Sequence, residues 1–97
     1  MRALILPAAV EDILRGYEFY EGIRIGLGQE FENSILDDIS GLERHAGIHR
    51  RVLGYHRMLA TRFPYAVYYR IEDAEARVRA VLDCRRDPSW IEKKLNC

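Results

Sequence analysis

The chain has 97 residues, with 15 Lys+Arg against 15 Asp+Glu and 48% hydrophobic residues. That suffices for one packed core in a single small domain over 1–97, with no room for a second. Charged residues interspersed with apolar ones exclude general disorder, and no apolar run approaches the roughly 18–20 residues of a membrane span.

In chain order, Arg2 to Leu6 is a short apolar run that reads as an edge strand ending at Pro7. Proline fits the first turn of a helix, where its missing N–H costs nothing. Val10, Ile13, Leu14, Tyr17 and Tyr20 then recur at spacings of three and four, which predicts an amphipathic helix from about Ala8 to Glu21. After a short Gly26-Leu27-Gly28 connection, a second helix is expected from about Leu27 to Glu43. Leu27, Phe31, Ile35, Ile39 and Leu42 share its inner face, with Leu36 beside them. So short a link makes the two helices an antiparallel hairpin, over about 8–43.

The second half changes period. Tyr55 to Phe63, Tyr65 to Ile71 and Ala76 to Cys84 are rich in aromatic and β-branched residues and predict a three-stranded antiparallel meander over about 55–86. In the last strand, Val78, Ala80, Leu82 and Cys84 are expected to face the helices, with Arg77, Arg79, Val81, Asp83 and Arg85 outward. In the middle strand, Val67, Tyr69 and Ile71 are expected inward, with Ala66, Tyr68 and Arg70 opposite. Asp87-Pro88-Ser89-Trp90 stops the last strand and starts a short helical tail over 87–97. The fold class is α+β: a helical hairpin covers one face of a small sheet, and the other face is partly bare and lined with arginine.

Charge is unevenly distributed. Residues 1–43 hold three basic residues against nine acidic ones, a net of −6, and residues 44–97 hold twelve against six, a net of +6. Thirteen of the fifteen basic residues are arginine, whose planar fork grips carboxylate or phosphate but does not exchange protons easily. This bias favours recognition over acid–base chemistry. Cys84 and Cys97 are too few for a disulfide framework and read as free thiols. His45, His49 and His56 have no carboxylate or thiol among them at ligand spacing, so neither a metal nor any other cofactor is expected.

Arg57, Arg70, Arg77, Arg79 and Arg85 are the candidate partner-binding residues. A solvated strand face is the simpler role for any one of them, but five on one short sheet make a basic surface for phosphate or an acidic segment. Arg44, His45, His49, Arg50, Arg51, His56 and Arg57 form a second basic stretch. His49 or His56 there offers a base beside a phosphate clamp, with a solvated loop as the simpler account. Tyr17, Tyr20 and Tyr69 read as core, and Tyr68 is open. Asp83 is expected to pair with a neighbouring arginine, Trp90 to seal the core edge, and Asp87-Pro88 to form a turn.

Four segments carry a family resemblance. They are Pro7-Ala8-Ala9-Val10-Glu11-Asp12-Ile13 running on to Tyr17-Glu18-Phe19-Tyr20; Leu27-Gly28-Gln29-Glu30-Phe31; Arg62-Phe63-Pro64-Tyr65-Ala66-Val67-Tyr68-Tyr69; and Val81-Leu82-Asp83-Cys84-Arg85-Arg86-Asp87-Pro88 with Trp90 beyond. Together, from about Leu4 to Trp90, they resemble the RelE/ParE family of bacterial type II toxin–antitoxin toxins, on the ParE-like side. The resemblance implies a small cytoplasmic toxin held inactive by a cognate antitoxin. ParE-like members act on DNA gyrase, and RelE-like members cleave mRNA on the ribosome. Asp83 stands where many relatives carry His, and the sheet has no lysine; both departures argue against RNA cleavage. The expected function is therefore a non-enzymatic gyrase inhibitor that does not bind nucleic acid sequence-specifically. A ribosome-dependent endoribonuclease is the alternative, and a toxin-like domain retained as a binding module is a third reading.

Overall fold

The computed structural model describes residues 1–96, so the free thiol expected at Cys97 lies outside the described residues. Strand β1 (Arg2–Ile5) leads directly into helix α1 (Pro7–Ile23), with Pro7 at its first turn. Helix α2 (Leu27–Ser40) follows, then a single turn α3 (Leu42–His45). The helix expected to reach Glu43 therefore stops at Gly41, whose flexible backbone favours a break. Four strands come next: β2 (Arg51–Val52), β3 (Tyr55–Leu59), β4 (Tyr65–Glu72) and β5 (Glu75–Asp83). Helix α4 (Pro88–Leu95) closes the chain, its first turn capped by Asp87, which accepts the Ser89 N–H at 2.8 Å. No helix among the described residues is long and apolar enough to cross a membrane.

The sheet order is β1-β5-β4-β3-β2. The meander β3-β4-β5 is antiparallel as expected, but β1 adds to β5 in parallel and β2 extends the other edge, giving a five-stranded mixed sheet. The β2 strand is two residues long, too short to show a periodicity of its own. The first meander strand ends at Leu59 rather than Phe63. Phe63 instead turns into the core between α1 and α2, 4.9 Å from the Tyr20 ring and 5.2 Å from Phe31.

The hairpin α1–α2 packs on one sheet face around Ala9, Ile13, Phe31, Ile35, Ile39, Val67, Tyr69, Val78 and Val81. Two contacts set how closely the helices approach. A Cβ at Gly28 would lie 2.6 Å from the Tyr17 carbonyl oxygen, and one at Gly16 would lie 2.5 Å from the Phe31 ring. The Glu21 carboxylate then accepts the N–H groups of Gly26 and Gly28 at 3.0 Å each, so α1 caps the start of α2. Close packing at Gly16 and Gly28 sets the rotation of α1. Its buried face is Ala9, Asp12, Ile13, Gly16 and Tyr20, while Val10 and Leu14 are 42% and 51% exposed.

The expected facing of β5 holds only for its first half. Tyr69 pairs with Val78 but Tyr68 pairs with Ala80, so Arg79 is an extra residue, a β-bulge. A bulge shifts the two-residue alternation by one and moves every later side chain to the opposite face. Ala80, Leu82 and Cys84 thus lie on the outer face, and Val81 joins the helix-side core. On β4, Val67 and Tyr69 face the helices as expected, and Ile71 is 38% exposed near the strand end. The outer face is not bare. Helix α4 lies on it and forms a second core, in which Tyr55, Ala66, Tyr68, Ala80, Leu82 and Leu95 are buried against Trp90 and Ile91.

Candidate functional site

Each of the five candidate arginines is held in its own way. Arg57, on β3, directs Nη2 to the Cys84 thiol at 3.8 Å. Arg70, on β4, stacks over the Tyr55 ring at 4.1 Å and donates Nε–H to the Gly54 carbonyl at 3.3 Å. Arg77 stands directly opposite Arg70, an unfavourable like-charge pairing on its own. Carboxylates of Glu72, Asp73 and Glu75 surround Arg77 at 3.1–3.2 Å and neutralise it. Arg79, projected by the bulge, donates to the Lys94 carbonyl at 2.9 Å and pins the C-terminal turn of α4 to the sheet. Arg85 lies past the end of β5 and is separate from the other four. It forms a two-pronged pair with Asp83, Nε to Oδ1 at 2.9 Å and Nη2 to Oδ2 at 2.8 Å. The uniform basic wall suggested by strict alternation is therefore divided, with α4 over its centre and arginines at its margins.

The Asp83–Arg85 pair, expected from sequence, sits beside two buried tyrosines. The hydrogen bond from Arg85 holds the Asp83 carboxyl below its ordinary pKa, and the pairing raises Arg85. Burial, with help from the Tyr20 and Asp83 neighbours, pushes the Tyr65 hydroxyl up to about 12. The Tyr20 hydroxyl is buried without a hydrogen-bond partner among the described residues, and burial raises its pKa too. A cleft of about 360 Å³ opens here between α1 and the start of α4, lined in part by Asp12, Arg15, Phe19, Asp83, Arg86 and Trp90. Arg86 lies flat over Trp90 at 3.8 Å. None of these groups forms a base–nucleophile pair.

A second feature lies on the solvent side of the hairpin. Val10 and Leu14 on α1 and Leu36 on α2 are exposed and line a small apolar groove of about 170 Å³ with Ile5, Ile13 and Glu32. Val10 and Leu14 share the helical spacing of Ile13 and Tyr20, and apolar spacing alone does not distinguish a core face from an exposed one.

His49 and His56 pack against Tyr69. His49 Nδ1 meets the Tyr69 hydroxyl at 2.5 Å, and that hydroxyl also accepts the Gly47 N–H at 2.9 Å. Burial, then the neighbouring His56 and His45, lowers the His49 pKa; that favours the neutral ring, whose Nδ1 can accept the tyrosine proton. His56 stacks on Tyr69 at 5.1 Å and donates Nδ1–H to the His49 carbonyl at 2.9 Å. His49 is thus a strut for the α3–β2 connection, and the base assigned to it on paper is already used inside the protein.

No protein-family model matches the sequence, and no curated protein matches it. Among solved structures, a chain of the chromosomal ParDE TA system from P. aeruginosa superposes with a TM-score of 0.76 at 19% identity, over 84% of this chain and 92% of its own. The chain therefore has the fold of that ParDE component, the hairpin-on-sheet architecture expected from its sequence.

Proposed function

We propose that this chain is the toxin of a toxin–antitoxin module, ParE-like in kind, cytoplasmic, and acting by docking on DNA gyrase. The observation that carries the reading is the fold shared with the ParDE chain over 84% of this chain, joined to the four ordered motifs. The groove at Val10, Leu14 and Leu36 supports a cognate antitoxin that lays the apolar side of an amphipathic segment along the hairpin. Of the five candidate arginines, Arg70 and Arg85 keep exposed guanidinium surface and are the contacts assigned to acidic partner groups. All five have partners within the chain, but Arg57, Arg77 and Arg79 are only half-exposed.

The test is a supercoiling and cleavage assay with purified gyrase. Added protein is expected to block supercoiling and accumulate cleaved DNA, and the antitoxin encoded beside it to reverse both effects. Unchanged supercoiling together with codon-specific mRNA cuts after induction would replace gyrase with the ribosome as the target.

A further inference from the structure

The connection between β2 and β3 carries a feature that shares only Arg70 with the proposed function. The turn Val52-Leu53-Gly54-Tyr55 has positive φ at both central residues, 54° at Leu53 and 84° at Gly54. Such a two-residue turn suits hairpins, but leucine is an unfavourable occupant of a left-handed backbone. The turn presents the Gly54 carbonyl to two guanidiniums from different strands. Arg51 Nη2 lies 3.4 Å from that oxygen and Arg70 Nε lies 3.3 Å from it. Among the described residues, neither arginine has a carboxylate within ion-pair distance. Two cations thus converge on one neutral oxygen without a counter-ion.

Around them is an open notch of about 390 Å³, lined by Arg51, Gly54, His56, Arg70, Ile71 and Glu72. Its one carboxylate, Glu72, is held by Arg77 at 3.2 Å. His56 adds no negative charge. Its Nδ1–H is committed to the His49 carbonyl, which leaves Nε2 as its remaining polar atom. The surrounding sequence is equally one-sided: between Glu43 and Glu72 there is no acidic residue, while Arg44, Arg50, Arg51, Arg57, Arg62 and Arg70 all fall there.

We propose that this notch is a phosphate-binding site that takes a phosphodiester of a single-stranded nucleic acid, without regard to base sequence. Two guanidiniums approaching from different strands offer more donors than one carboxylate can accept, whereas the oxygens of a tetrahedral phosphate can be reached from both directions. The long acid-free stretch suits a chain of phosphates better than a single anion. The site lies at the β2 end of the sheet, away from the apolar groove of the hairpin, so occupation of one does not require the other.

The experiment is fluorescence anisotropy of the full chain with a labelled oligouridylate and its DNA counterpart, over a range of salt. The wild-type chain is expected to bind, and Arg51→Gln with Arg70→Gln to weaken binding about tenfold and flatten the log–log salt dependence by about one contact's worth. Leu53→Asp, which places a carboxylate at an exposed tip whose backbone aspartate tolerates, is expected to weaken binding comparably without unfolding the chain. Pyrophosphate is expected to compete and poly-glutamate to compete poorly. Absence of oligonucleotide binding by the wild type, unchanged affinity in both variants, or poly-glutamate competing as well as pyrophosphate would each overturn the proposal. The last result would reassign the notch to an acidic peptide.

Discussion

The Asp12 carboxylate accepts the main-chain N–H of Val81 at 3.0 Å, joining the middle of α1 to β5 across 69 residues of sequence. The parallel pairing of β1 ends opposite Val78, so Val81 lies past the reach of that strand. Asp12, 6% exposed, satisfies a strand-edge donor there, and its other oxygen accepts from Arg15. A buried N–H left without a partner costs about 1–3 kcal/mol, more when a charged acceptor is lost. Asp12→Ala is expected to lower stability by about 2–3 kcal/mol, and Asp12→Asn, which keeps an acceptor oxygen, by about 1 kcal/mol. Urea denaturation followed by circular dichroism measures both.

Gly28→Ala tests the close approach of the hairpin. The added methyl meets the Tyr17 carbonyl, a backbone atom that cannot rotate away. Overpacking of about 2–3 kcal/mol outweighs the helix-propensity gain of about 1 kcal/mol, so a net loss is expected in thermal melts. Gly22→Ala is the control. Nothing lies within 4 Å of its Cβ position, and a gain of up to about 1 kcal/mol is expected.

At Ala74, in the β4–β5 turn, φ is 59° and the side chain is exposed. Replacing it with glycine relieves the left-handed strain at the cost of some unfolded-chain entropy. A rise in stability of about 0.5–1 kcal/mol is expected, read as a higher melting temperature.

Tyr65 predicts alkaline behaviour. Its folded pKa is about 12 against an ordinary 10.0, so the unfolded chain ionises first. Stability from this group is intact below about pH 10 and falls as pH rises from there towards about 12. Tyr65→Phe is expected to flatten that limb of a stability–pH profile.

His49 gives the acid counterpart. Its pKa is lowered in the folded protein, so the unfolded chain takes up the proton first. Stability is complete above the ordinary histidine value of about 6.5 and declines as pH falls below it. Protonation also converts Nδ1 from acceptor to donor against the Tyr69 hydroxyl, which already accepts from Gly47. His49→Gln is expected to flatten the decline, measured by denaturation from pH 8 to 5, about the range over which histidine titrates.

The element types were legible because the apolar periods are strong: three and four in Ile13, Tyr17 and Tyr20, and two in Val67 and Tyr69. The Asp83–Arg85 pair was legible from its local spacing. The facing of Ala80 and Leu82 was not, because the bulge at Arg79 is created by pairing with β4 and leaves no mark in the strand itself. The exposure of Val10 and Leu14 escaped for a related reason, since Gly16 and Gly28 fix the rotation of α1 through close contacts with distant residues. The notch at Gly54 escaped because it joins arginines nineteen positions apart, Arg51 and Arg70, through a turn whose backbone angles do not follow from the residue type at Leu53.

The parallel pairing of Arg2–Ile5 with Glu75–Val78 has a kinetic consequence. The opening segment cannot find its place until residues more than seventy positions downstream have been made. Contacts of such sequence separation form late and slow the search for the native state. During synthesis the sheet therefore stays open at its β1 edge until β5 has left the ribosome.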